Sequence, residues 1–131
     1  MQYLVKAFKV LSDETRLRIL NLLLERECCV CEVMQALDIS QSRASRNLGI
    51  LKDTGFIKSR RDGLWVVYSI DEERVNKHLI EIIKDALEGN EVVALDRERL
   101  KTAARVGLDS MQRARRYRGQ DEQHSAKNRS W

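Results

Sequence analysis

The chain has 131 residues and contains no proline and only six glycines. These two residues interrupt helices more often than any others, so we expect a mostly helical protein with few breaks. No apolar run approaches the roughly 20 residues that a membrane-spanning helix needs. The opening stretch MQYLVKAFKVLSDE mixes lysines with apolar residues and lacks a secretory signal pattern, so we expect a cytoplasmic protein without membrane contact.

Cysteine is scarce, and all three cysteines fall within the stretch ECCVCEV at 27–33. Thiols stay reduced in the cytoplasm, and an odd set of three neighbouring cysteines does not make a disulfide framework. We therefore expect Cys28, Cys29 and Cys31 to be free thiols. They are candidates for metal ligands, for redox groups or for ordinary core residues.

Basic residues are concentrated in one part of the chain. Residues 41–61 contain a single acid, Asp53, against six basic residues, which are Arg43, Arg46, Lys52, Lys58, Arg60 and Arg61. Such a cluster predicts a surface that faces a polyanion, although a merely solvated face would carry the same charges.

Hydrophobic periodicity predicts three helices in the first third of the chain. The first covers 2–10 and is apolar almost all round, so it needs cover on more than one side, which a small monomer can hardly supply. The second begins after Ser12, a predicted N-cap followed by acids in the first turn. The third runs from about Val30 to Leu37 and ends at Asp38.

A fourth helix is predicted between a capping residue, Ser40, and a terminating glycine, Gly55. On a helical wheel its apolar residues form one stripe, which comprises Ala44, Leu48 and Leu51. The opposite side carries small hydroxyl residues and arginines, whereas a merely solvated helix more usually shows mixed glutamate and lysine.

A hairpin and a last core helix follow. The predicted strands are Ile57–Arg60 and Leu64–Ile70, joined by a turn at 61–63. The helix at 71–89 has a wide apolar stripe, suited to packing on the domain and also on a partner: Val75, Leu79, Ile82, Ile83, Ala86 and Leu87. We expect a domain at 1–90, a basic amphipathic helical extension at 91–118 and a disordered tail at 119–131.

This order of elements predicts a mainly α winged helix-turn-helix with a small β-hairpin. A helix fits the DNA major groove, and the hairpin tip reaches the adjacent backbone. Residues at the N-terminus of the fourth helix would meet phosphate, its arginines would meet base edges, and the hairpin arginines would meet the backbone. The predicted DNA-binding residues are Ser40, Gln41, Ser42, Arg43, Ser45, Arg46, Lys52, Arg60 and Arg61.

The stretch ECCVCEV resembles the ELCVCDL metal box of the arsenical-repressor (ArsR/SmtB) family. LSDETRLRILNLL and SQSRASRNLGILKDTGFIKSRRDGLWVVYSID also follow that family's pattern, and the resemblance covers about residues 3–90. It implies a homodimeric repressor that binds an imperfect palindrome of double-stranded DNA and leaves it when a metal or metalloid binds. It also implies that the first and last core helices pair, with Tyr3, Leu4, Phe8, Val75, Leu79, Ile82, Ile83 and Ala86 as dimerisation residues.

The resemblance further implies a thiolate site for trivalent arsenic or antimony as effector, since soft thiolates select soft ions. Cys29 and Cys31 match the first two ligands of the family's arsenic site. The third ligand would fall at Met34, so this sequence departs from the pattern there, and Cys28 is the only thiol left to replace it. In an intact helix Cys28 and Cys31 share a face while Cys29 points elsewhere, so collecting all three sulfurs would distort the start of the third helix.

Several alternatives stay open. The thiols could sense oxidation, persulfide or another soft metal. Oxidation would begin with a sulfenic acid, because the adjacent Cys28 and Cys29 could form only a strained disulfide. A winged helix can also serve as a protein-interaction module, although such modules usually lose the basic face. We expect no enzyme, because no glycine loop or partner base surrounds the thiols. We also expect no zinc site of the family's type: Asp71 stands near its first ligand position, but Lys84 and Leu87 occupy the later ones, His78 and Glu81 are out of register, and His124 lies in the predicted tail.

Overall fold

A computed structural model describes residues 1–106 and shows six helices and a three-stranded sheet in that part of the chain. The helices are α1 (Gln2–Leu11), α2 (Glu14–Glu25), α3 (Val30–Leu37), α4 (Gln41–Asp53), α5 (Lys77–Leu87) and α6 (Glu91–Thr102). The strands are β1 (Cys28–Cys29), β2 (Ile57–Asp62) and β3 (Trp65–Ile70). The predicted winged helix-turn-helix is confirmed: α3 and α4 form the helix pair, and β2 and β3 form the wing.

Local capping decides where the helices begin. Ser12 was the predicted cap of α2, but the cap is Asp13, whose carboxylate accepts the N–H of Arg16 at 3.0 Å. A carboxylate both caps the first turn and complements the helix dipole, and Ser12 instead ends α1. Ser40 caps α4 as predicted. Asn76 caps α5 by accepting two backbone N–H groups, so this helix begins six residues later than predicted.

The wing is longer than predicted, and its turn is tighter. β2 extends to Asp62, which pairs with Trp65, so that Gly63 and Leu64 alone form the loop. Gly63 has φ +63°, the left-handed conformation that short hairpin loops favour. β3 lies between β2 and β1, with antiparallel pairing on both sides. The two-residue strand β1 therefore attaches the cysteine stretch directly to the inner strand of the wing.

The core lies between α2, α3, α4 and the base of the wing. Its fully buried side chains include Ile19 and Leu20 of α2, Leu48 of α4, and Phe56 just before β2. None of the helices at 1–106 is long and apolar enough to cross a membrane.

Helix α6 differs most from the prediction. It begins at Glu91 and ends at Thr102, and residues 103–106 are not helical, so the prediction of a helix through residue 118 is wrong for that segment. The remainder of the predicted extension and the predicted tail lie outside the described residues. Packed against α2 and α3, α6 buries Val93, Asp96 and Leu100.

Asp96 joins three helices. It is fully buried, and its two oxygens accept Nε and Nη2 of Arg18 on α2, each at 2.8 Å. The same arginine donates to the carbonyl of Leu37, and Arg99 donates to the carbonyl of Ala36 at 2.8 Å. These bonds satisfy carbonyls at the C-terminus of α3, which have no partner within that helix. The buried carboxylate thus holds α6 against the end of α3 that leads into α4.

We predict that Asp96→Asn lowers the free energy of unfolding by about 3 kcal/mol, because it leaves Arg18 partly buried without its counter-charge. Chemical denaturation followed by circular dichroism would measure this loss. Glu98→Gln is the matched control on the same helix, since that side chain is 66% exposed and, within residues 1–106, pairs only with Lys101. Equal stability of the two variants would contradict the prediction.

Candidate nucleic-acid interface and cysteine site

Helix α4 turns one polar side to solvent. Its buried positions include Ala44, Leu48 and Leu51, as the wheel predicted. On the opposite side the exposed residues are small or basic: Ser42, Arg43, Ser45 and Arg46. Ser40 and Gln41 are half-buried at the N-terminus of the helix. This side has the shape and charge of a surface that enters a DNA groove.

Side chains from α2 hold α4 in place. Arg43 donates from Nη2 to the hydroxyl of Thr15 at 2.5 Å. The buried Asn47 accepts from Arg16 at 3.1 Å and donates to the carbonyl of Arg43 at 2.9 Å. The guanidinium of Arg43 is therefore partly engaged in a hydrogen bond to α2, whereas Arg46 has no ion pair or hydrogen bond within residues 1–106. Sequence reasoning missed Asn47, although a polar residue beside an apolar stripe was a signal for it.

The other predicted DNA contacts lie at the end of α4 and on the wing. Lys52 of α4 and Arg60 and Arg61 of β2 are all exposed, and so is Lys58 of β2. Arg60 forms an ion pair with Glu27, which precedes β1, and its side chain remains 54% exposed. Asp62 pairs with Arg105 at 2.7 Å, and this contact lowers the pKa of Asp62. The wing tip is therefore connected by ion pairs to the cysteine stretch and to the segment after α6.

All three cysteines are buried, at 0 to 3% exposure. Cys28 and Cys29 lie in β1, opposite Tyr68 and Val67 of β3. Cys29 is also the N-cap of α3: its sulfur accepts the N–H of Glu32, whose carboxylate accepts the N–H of Cys29 at 3.0 Å. The cysteine stretch thus joins the wing sheet to the helix that precedes α4.

The structure joins Cys29 and Cys31 in a disulfide, so the expectation of three free thiols is wrong here. Cys29 has an extended backbone, Cys31 lies in the first turn of α3, and the Cα atoms of the two residues are 5.5 Å apart. That distance lies in the usual range for disulfides. Cys28 lies in strand β1, so the shared face that an intact helix would give Cys28 and Cys31 does not arise here.

Cys28 is the free cysteine of the described residues. Burial raises the pKa of its thiol from 9.0 to about 12, and its sulfur donates a weak bond to the carbonyl of Arg26 at 3.5 Å. Successive residues of a strand point to opposite faces, so Cys28 points away from Cys29. The structure therefore brings together two of the three predicted ligands and not the third.

Other metal-ligand residues do not complete a site. Among residues 1–106, no group of three or more histidine, cysteine, aspartate or glutamate side chains is placed to hold a metal ion. Asp71 is buried after β3, His78 and Glu81 are exposed on α5, and Met34 is buried in α3. His124 lies outside the described residues.

The predicted dimerisation residues divide into two groups. Val75 and Ile83 are 8% and 6% exposed, so they belong to the protomer's own core. The apolar stripe of the predicted helix at 71–89 was compatible with packing either on the domain or on a partner. The others remain accessible, with Leu79 half-buried and Ala86 exposed. The large exposed apolar side chains of this group are Tyr3 at 52%, Leu4 at 44%, Phe8 at 56% and Ile82 at 63%.

Residues 13–59 match the family described as bacterial regulatory protein, arsR family. The chain is similar to a cadmium resistance transcriptional regulatory protein CadC homolog of Staphylococcus aureus, with 47% identity over 58% of this chain and 63% of the relative. It is 37% identical to the arsenical resistance operon repressor of Bacillus subtilis, over 56% of this chain and 71% of the relative. The chain thus spans less than two thirds of the first of these relatives.

A solved structure also resembles this fold. It is the homodimeric winged helix-turn-helix DNA-binding domain of a possible ArsR-family transcriptional regulator from Mycobacterium bovis. The TM-score is 0.59 at 29% sequence identity, and the match covers 69% of this chain and 82% of that domain.

The raised pKa of Cys28 predicts a pH effect on stability. Between pH 9 and 12 the folded chain keeps this proton while the unfolded chain releases it, so the free energy of unfolding falls as the pH rises. Denaturation of the wild type and of Cys28→Ala at pH 7, 9 and 10 measures the difference. We expect the wild type to lose more stability with pH than the variant, and parallel curves would contradict this cause.

Proposed function

We propose that this chain, which belongs to the arsR family of bacterial regulatory proteins, is a cytoplasmic repressor that binds operator DNA as a homodimer. Members of this family are transcriptional regulators and not enzymes. The observation that carries the proposal is the exposed side of α4, which has short side chains, basic residues and an adjoining wing of exposed arginines. Loss of this basic face would have favoured a protein-interaction module.

In this proposal α4 lies in the major groove of an imperfect palindrome. Arg43, Ser45 and Arg46 reach base edges, where arginine pairs with guanine through two hydrogen bonds. Backbone N–H groups at the N-terminus of α4 bind phosphate together with Ser40, Gln41 and Ser42. Lys52 and the wing arginines Arg60 and Arg61 bind the DNA backbone.

Dimerisation follows from the same proposal. The apolar residues of α1 and the exposed residues of α5 would pair with those of a second copy, because the protomer leaves them in water. A two-fold axis between the copies would place one α4 on each half of the palindrome.

We infer further that the cysteines take up trivalent arsenic or antimony and thereby lower DNA affinity. Reduced Cys29 and Cys31 are already close enough to act as two ligands. Cys28 can join them only if β1 leaves β3, because its side chain lies on the other face of the strand. The named resistances of the relatives, cadmium and arsenic, both concern soft ions, which thiolates select.

The movement of β1 supplies the link to DNA. β1 pairs with the inner strand of the wing, and Cys29 caps the helix that precedes α4. A form with three sulfurs gathered would therefore disturb both DNA-contacting elements. Changing operator occupancy from about 99% to 1% needs roughly 5.5 kcal/mol of differential binding, which several metal–thiolate bonds can provide.

The Cys29–Cys31 disulfide favours a second candidate, a repressor that senses oxidants. Two thiols and one peroxide would give the disulfide and two molecules of water, with sulfur oxidised and peroxide oxygen reduced. Cys31 would resolve a sulfenic acid formed at Cys29, or the reverse. Cys28, buried and with a raised pKa, would remain a thiol.

We predict that Arg46→Ala weakens binding to the DNA upstream of the chain's own gene by about tenfold, within the usual value of one arginine–guanine pair. Arg61→Ala should weaken binding to all sequences and reduce the salt dependence by about one counterion. Fluorescence anisotropy at several salt concentrations measures both effects. Arg97→Ala is the control, since this α6 arginine pairs with Glu25, and equal effects of all three variants would contradict the interface.

We predict that Cys29→Ser and Cys31→Ser each keep DNA affinity but abolish release by arsenite under reducing conditions. Cys28→Ser should raise the arsenite concentration needed for release, because only two sulfurs remain. Gel shifts with arsenite, antimonite, cadmium, zinc and peroxide as separate titrations identify the effector. Release of the Cys29→Ser/Cys31→Ser double variant by arsenite would show that the site lies elsewhere, and release by peroxide alone would favour the oxidant sensor.

A further inference from the structure

We infer that the segment after α6, residues 103–106, acts as a strap that carries the state of the cysteines to the wing, with Arg105 as its positioning residue. This inference rests on the proposed function. It assigns a regulatory role to a contact between the cysteine stretch, the C-terminal segment and the wing.

Gln35 of α3 binds the strap at Ala104. Gln35 donates from Nε2 to the carbonyl of Ala104 at 2.7 Å and accepts the N–H of Ala104 at 3.2 Å. The same Nε2 also donates to the carbonyl of Cys31 at 2.9 Å. A side-chain amide that uses both ends on one backbone residue fixes that residue in position and orientation. The strap therefore follows any displacement of α3 near Cys31.

Arg105 continues the connection to the wing. Its Nε donates to Oε1 of Glu32 at 3.4 Å, and its Nη1 donates to Oδ2 of Asp62 at 2.7 Å. Oε1 of Glu32 is also the atom that accepts the N–H of Cys29. One carboxylate oxygen thus touches both the cysteine backbone and the strap.

The burial of Glu32 gives this connection its strength. The carboxylate side chain is 5% exposed, and its other oxygen pairs with Arg26. A buried carboxylate that loses one donor must recruit another or move, because an unpaired buried charge is costly. If β1 moves and the Cys29 N–H leaves, the balance of Glu32 between its two arginines changes. Arg105 then shifts relative to Asp62.

A shift of Arg105 relative to Asp62 would act at the tip of the wing, where Asp62 lies. It is the last residue of β2, it pairs with Trp65 across the hairpin, and it follows the two arginines that we assign to the DNA backbone. A surface ion pair by itself contributes little to stability. Here its position between two sites matters more than its strength, because allosteric coupling requires only that both sites change the same contact.

Trp65 offers a direct probe of the wing. The sequence has two tryptophans, Trp65 and Trp131, so Trp131→Phe leaves one fluorophore beside Asp62. In this background we compare Arg105→Gln, which removes the charge, with Arg97→Gln, a matched arginine of α6 that pairs with Glu25 and has no contact with the wing. Arsenite is added under reducing conditions, and thiol titration reports its uptake.

The background and Arg97→Gln should show a change in Trp65 emission and loss of DNA affinity on arsenite uptake. Arg105→Gln should take up arsenite and bind DNA within about twofold of the background without it. Its Trp65 change should be lost, and the arsenite-induced drop in affinity should be smaller by about fivefold, the upper range for one ion pair. An unaltered Trp65 change and an unaltered affinity drop in Arg105→Gln would overturn the inference.

Asp62→Asn tests the same contact from the wing side, away from the cysteines. Because Asp62 also lies 3.9 Å from Arg60, the affinity of each variant with arsenite is compared with its own affinity without arsenite. On that measure Asp62→Asn should reproduce the loss seen in Arg105→Gln, and the double variant should lose no more, because both changes remove the same contact. Additive effects would count against the strap. If arsenite releases none of the proteins, the proposed effector fails, and Trp65 emission of the reduced protein against the Cys29–Cys31 disulfide form decides the strap in the same variants.

Discussion

An eight-residue helix such as α3 is not stable by itself, because isolated helices of that length do not persist in water. Two buried carboxylates supply what it lacks. Glu32 completes the capping box at its N-terminus, and Asp96 holds the arginines that bind carbonyls at its C-terminus. Neither carboxylate has partners within α3 alone: Glu32 reaches the strap and Asp96 comes from α6. The position of α3, and with it the position of α4, therefore depends on chain that lies far away in sequence.

This dependence explains how a small domain could connect the cysteine stretch to the proposed DNA-binding surface. Cys28 and Cys29 lie in β1, where they pair with the wing, and Cys31 lies in the first turn of α3. A change in sulfur chemistry therefore acts on a strand and on a helix cap at once. The wing and α4 are the two elements next to these features, and both carry the exposed arginines. The cysteine site and the proposed interface share their supports, so no long route between them is needed.

Much of this fold could be predicted from local signals. The range of α3, the cap at Ser40 and the left-handed Gly55 all follow from residues adjacent in sequence. The features that were not predicted depend on contacts between residues far apart in sequence. A two-residue strand such as β1 has no periodicity, and α6 hides its packing because Asp96 sits among its buried positions. The pairing of Cys29 with Cys31 was missed although the start of α3 was predicted, because the expectation of free thiols rested on the cytoplasmic location and on the odd number of cysteines. The contacts of the strap could not be predicted from the sequence, because its partners belong to other elements: Gln35, Glu32 and Asp62.

The cap of α3 has one more consequence. Serine, threonine, aspartate and asparagine are the usual N-cap residues, whereas sulfur is a weak acceptor. At residue 29 the chain thus has a weaker helix cap in exchange for a reactive atom, and the same sulfur both caps α3 and bonds to Cys31. Serine at this position would be chemically silent and a better cap at the same time. The replacement would leave α3 more firmly formed than in the native chain, so a variant without the proposed sensing would gain a more stable helix in the same step.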